Sequence, residues 1–123
     1  MEAKLLSFQP GELAISLWTK IEFVSAMALK VRNRSISESR AGELIAKFEQ
    51  TVVETFHIIS PVDADFHLAS RFLERFTSGL RSGDALHLAI AHNHEARRFY
   101  TLDEKLLKAA RGLKIPAVGL KKI

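Results

Sequence analysis

Three carboxylates in this 123-residue chain stand where their chemistry could be shared. Glu22 follows an apolar segment ending near Trp18, Asp103 follows one ending at Leu102, and Asp84 opens an apolar stretch from Ala85 to Ala91. In parallel sheets ligands gather beyond the carboxyl ends of the strands, and Glu22 and Asp103 both fall at strand-to-helix junctions of that kind. Singly, an acid in the first turn of a helix has a plainer reading: it complements the helix dipole and satisfies free amide groups. Jointly, carboxylates gathered at one edge repel one another unless a cation neutralises them. An all-oxygen donor set suits a hard ion, Mg²⁺ or Mn²⁺. The chain has no cysteine, so thiolate metal sites and disulfides are excluded. Spacing alone leaves open whether the three side chains converge.

The elements that must position them follow from periodicity. Gly11 to Trp18 alternates Leu13, Ile15 and Leu17 with smaller residues and predicts a short strand. From Thr19 to about Arg34 the period turns helical, with Ile21, Val24, Ser25 and Leu29 on one side and Phe23, Met27 and Val31 flanking. Asn33 to Ser37 reads as a connection. A second helix is expected from Glu38 to Glu54 on Ala41, Leu44, Ile45, Phe48 and Val52. Phe56 to Ser60 is a strand closed by Pro61, and Asp63 is the expected N-cap of a helix carrying Phe66, Ala69, Phe72 and Leu73. Thr77 to Ser82 is a loop containing Gly79. Ser82 is the expected cap of a buried helix from Gly83 to about Glu95. Arg98 to Leu102 predicts a strand, Asp103 to Arg111 a helix stopped by Gly112, and Ala117 to Leu120 a last strand. Strands alternating with helices mean parallel strands joined by crossovers, hence an α/β three-layer sandwich. At this length one domain spanning residues 1–123 is expected.

Other polar residues have competing readings. His87 lies one turn after Asp84 and reads foremost as a packing residue. His92 and His94 stand near a helix end, where imidazolium favours the dipole, and their spacing does not put both on one face for a metal. Arg81, just before the Asp84 helix, and Lys20, near Glu22, are candidates for contacting phosphate or for surface ion pairs. Lys30, Arg32 and Arg34, and the pair Lys121 and Lys122, read as solvated surface. Asp63 and Asp65 resemble ligands, but capping explains Asp63 better. Trp18 reads as core at a strand end, with stacking on RNA a minor alternative.

Hydrophobic residues make up 47% of the chain, enough for an ordinary core, and the formal net charge is +4, which favours an acidic partner such as nucleic acid. No apolar run is long enough to cross a bilayer, and Met1 to Pro10 lacks the basic-then-apolar pattern of a secretory signal. A cytoplasmic protein with no membrane partner is the expectation.

The segment Leu80-Arg81-Ser82-Gly83-Asp84-Ala85-Leu86-His87-Leu88-Ala89 resembles the late signature of PIN domains of the VapC toxin type. Thr101-Leu102-Asp103, followed by Leu106, Leu107, Ala109 and Ala110, resembles that family's next motif. Ile15-Ser16-Leu17-Trp18-Thr19-Lys20-Ile21-Glu22-Phe23 is similar to its early glutamate motif. The three stand in family order over most of the chain. The resemblance implies a toxin of a toxin–antitoxin pair that hydrolyses RNA phosphodiester bonds with Mg²⁺ or Mn²⁺ held by Glu22, Asp84 and Asp103, leaving a 5′-phosphate and a 3′-hydroxyl. It also implies a homodimer silenced by a cognate antitoxin protein. The family normally opens with an apolar strand ending in aspartate followed by threonine or serine. Met1 to Pro10 has no aspartate, so this strand and first ligand are expected to be missing. Two explanations stand: a start further upstream, or a remnant. A remnant would be a catalytically inactive module that binds an antitoxin or RNA without cleavage. Cleavage of DNA by the same metal chemistry is a third expectation.

Overall fold

The computed structural model describes residues 13–96, 99–101 and 104–119. Among the described residues four strands and five helices follow in the order β1 (Leu13–Ser16), α1 (Leu17–Arg32), α2 (Glu38–Thr55), β2 (Phe56–Ile59), α3 (Asp63–Leu73), α4 (Ser82–Asn93), β3 (Phe99–Thr101), α5 (Glu104–Gly112) and β4 (Ala117–Gly119). The described residues fall into two units, one up to Ser60 and one from Pro61 onward. Each contains one parallel strand pair: β1 beside β2, with Leu13 opposite Phe56 and Ser16 opposite Ile59, and β3 beside β4, with Phe99 opposite Ala117. The expected α/β alternation with parallel pairing is present, with crossovers through α1 and α2 in the first unit and through α5 in the second. The expected absence of a family-type first strand concerns Met1 to Pro10, which lie outside the described residues.

In the first unit the strand is shorter than its alternation suggests. Leu17 and Trp18 are helical, and α1 starts directly after β1 at an extended Ser16 (φ −96°, ψ 161°). The side chain of Ser16 does not cap the helix; its hydroxyl and the Trp18 indole N–H are buried without a partner among the described residues. The face of α1 also differs from expectation. Met27 is buried and Phe23 half-buried, whereas Ile21 and Leu29 are 58% and 55% exposed. The cause is the neighbour: Phe23 stacks on Phe48 of α2, ring centroids 4.1 Å apart and planes 6° from parallel, so the row through Phe23 and Met27 faces α2. Helix α2 begins one residue after Ser37, whose side chain accepts a hydrogen bond from the Arg40 N–H at 3.0 Å.

The second unit is built around α4, whose Ala85, Leu86, Leu88, Ala89 and Ile90 are all buried, as their apolar character requires. Leu88, Leu106, Ala110 and Ile115 form its core, joined by Phe72, Leu80, Phe99, Leu113 and Ala117. Gly79, at φ 74°, supplies the left-handed residue of the loop before α4.

Three helix ends share one closing device. After α1, α4 and α5 the chain passes through a left-handed residue that is not glycine: Arg34 (φ 63°), Glu95 (φ 53°) and Lys114 (φ 60°). Each is followed by an N–H donating to a carbonyl five residues back: Ser35 to Lys30 at 2.8 Å, Ala96 to Ala91 at 2.9 Å and Ile115 to Ala110 at 2.9 Å. These are the bonds of a Schellman motif, which satisfies carbonyls the helix leaves open. Gly112, the expected stop, is the last helical residue of α5, and the reversal falls at Lys114.

Candidate active site

Asp84 is the third residue of α4 and stands in its first turn, as its place before the apolar run predicts. It is half-buried, and its side chain makes no hydrogen bond or ion pair among the described residues. The helix amides offer its charge some compensation, since the amino end of a helix is electropositive. Ser82 does not cap this helix. Arg81 is the N-cap residue, extended at φ −98° and ψ 165°, with no side-chain cap bond, and its carbonyl accepts the Ala85 N–H at 3.0 Å. Arg81, three residues before Asp84, is exposed. His87 is half-buried one turn further along.

Glu22 lies on α1 in the other unit. Because α1 starts at Leu17, Glu22 falls in the second turn rather than the first, and it is exposed. Lys20 is engaged: its Nζ lies 3.2 Å from a carboxylate oxygen of Glu49 on α2, with both side chains about half exposed. Pairs of this type contribute little stability, about 0.2–1 kcal/mol. Asp103 lies outside the described residues, immediately before α5. No group of three or more acidic or imidazole side chains able to hold a metal ion is found among the described residues.

Asp65, which the sequence offers beside Asp63 only as a possible ligand, is the most deeply buried polar residue among the described residues. Asp65, 0% exposed, accepts the Val62 backbone N–H at 2.9 Å and the Asn93 amide Nδ2 at 2.8 Å. The N-cap of α3 is Val62, not Asp63, and valine has no side-chain acceptor; the third residue of the helix reaches back instead and satisfies the cap amide. His94 Nε2 lies 3.9 Å from the same carboxylate. The amino end of α3 therefore meets the carboxyl end of α4, so the two run antiparallel. Asn93 is nine residues from Asp84, about 13.5 Å along the helix, which makes Asp65 a fastener of the far end and no part of a site at Asp84. The available signal was an aspartate three residues after an uncapped hydrophobic N-cap.

A comparison with protein families gives a match to the PIN domain over residues 2–112, which takes in both units and all three sequence motifs. The chain belongs to the PIN domain family. No curated protein and no solved structure gives a significant match. PIN domains are generally nucleases, often toxin components, and typically use divalent metals. Glu22, Asp84 and Asp103 are carboxylates, an all-oxygen donor set of the kind a hard cation takes.

Proposed function

We propose that this PIN domain is a metal-dependent endoribonuclease and the VapC-type toxin of a toxin–antitoxin pair. The observation that carries the reading is Asp84: its segment bears the most specific family motif, it opens a buried helix, and its charge has no protein partner among the described residues. Glu22, Asp84 and Asp103 are the proposed ligands of Mg²⁺ or Mn²⁺, and the proposed fold class is a three-layer α/β sandwich with a mostly parallel sheet. A cognate antitoxin and a second copy of the chain are the proposed protein partners.

The bound cation supplies a Lewis acid at the scissile phosphate and a lowered pKa for the attacking water. The chain's own residues supply the rest. The three carboxylates fix the ion's position and, without it, repel the anionic RNA, so catalysis should disappear with a chelator. Arg81 is proposed to orient a phosphate through its planar guanidinium fork, and Lys20 to do so more weakly, since Glu49 competes for it. RNA cut with added Mg²⁺, leaving 5′-phosphate ends, tests the reading, together with a rise in melting temperature at millimolar Mg²⁺. Metal-independent cutting would contradict it.

A further inference from the structure

The positive charge of this chain is concentrated. Residues 104–123 hold six basic side chains and one acidic one, a net +5, while residues 1–103 hold twelve basic and thirteen acidic, a net −1. The whole +4 of the protein therefore resides in its last twenty residues. Helix α5 organises this charge. Leu106 and Ala110 are buried in the core with Leu88 and Ile115, which fixes the rotation of the helix about its axis. The opposite side must face outward, and there Lys108 and Arg111 are exposed one turn apart. Glu104 and Leu107 lie beside them on the same helix. Neither Lys108 nor Arg111 makes an ion pair among the described residues. Lys105 flanks them, and Lys114, exposed at the left-handed turn, extends the row past the helix end.

We infer that this outward face of α5 is a phosphate-tracking surface for single-stranded RNA. A concentrated basic row on a chain otherwise slightly negative is complementary to a polyanion, and its attraction is electrostatic and sequence-independent. The helix starts directly after Asp103, so a strand lying along it enters at the proposed catalytic edge. This direction of entry rests on the nuclease reading; the binding itself does not.

The test is binding of a labelled oligouridine to the full chain in EDTA, titrated with salt. Each phosphate contact on a single strand contributes about 0.7 to the slope of log K against log salt. Lys108→Gln with Arg111→Gln should reduce the slope by about 1.4, with an unchanged melting curve because both side chains are exposed. Lys30→Gln with Arg32→Gln removes the same charge from α1 and should leave the slope nearly unaltered. An unchanged slope in the α5 variant, or an equal loss in both, overturns the inference. Tight binding of polyglutamate but not oligouridine also overturns it, in favour of an acidic protein partner. A wild-type chain that binds through α5 but cuts nothing with Mg²⁺ keeps the inference and removes the nuclease reading. Cutting with a slope indifferent to both pairs does the reverse.

Discussion

Asp65 and Asn93 are joined across two helices: the buried carboxylate accepts the Asn93 amide at 2.8 Å, tying the first turn of α3 to the last turn of α4. The same carboxylate accepts the Val62 N–H through its other oxygen. Removing it therefore leaves two donors unsatisfied. Asp65→Ala should cost about 3 kcal/mol, and Asp65→Asn less because one acceptor survives. The midpoint of urea unfolding checks both, and a loss below about 1 kcal/mol for the alanine variant would show that the pair is not a fastener.

Leu88 has no solvent exposure and lies at the centre of the second unit's core, among Leu106, Ala110 and Ile115. Leu88→Ala should destabilise by about 2–5 kcal/mol through lost burial and a residual cavity. The same unfolding measurement reads it.

The stacked rings of Phe23 and Phe48 are the clearest contact between α1 and α2. A double-mutant cycle with alanine at each position should give a coupling of about 0.5–1.5 kcal/mol. Additive losses would mean that each ring contributes only its own burial.

Glu95 holds a left-handed backbone that costs a side chain about 1–2 kcal/mol relative to glycine. Glu95→Gly should raise stability by about 0.5–1 kcal/mol, since glycine's larger unfolded-state entropy offsets part of the relief. Glu95→Ala separates backbone from charge. It removes the unfavourable carboxylate at the helix end but keeps the strain, so it should remain less stable than the glycine variant.

Local chemistry made most elements readable. The apolar spacing of α2 placed that helix within a residue of its observed end, and Pro61 closed β2 where expected. The start of α1 escaped because Leu17 and Trp18 suit a strand and a helix equally, and Ser16 gives no side-chain cap to mark the change. The inward side of α1 escaped for another reason: Ile21 and Phe23 are equally apolar, and the stacking partner Phe48 is 25 residues away from Phe23 in sequence. Asp63 was favoured over Asp65 because N-capping is the commoner device, whereas Asp65 acts through Asn93, which no local pattern reveals. At the candidate site, Asp84 was legible because its position depends on its own helix. Whether Glu22, Asp84 and Asp103 meet depends on packing between distant segments, which spacing along the chain does not encode.

Asp84 is proposed to be a metal-holding catalytic carboxylate. It is tested most directly by incubating RNA with the wild-type chain in Mg²⁺, in EDTA, and with Asp84→Asn in Mg²⁺, each variant first shown to be folded. Cleavage is expected only in the first case. Equal cleavage by Asp84→Asn, or by the wild type in EDTA, would contradict it.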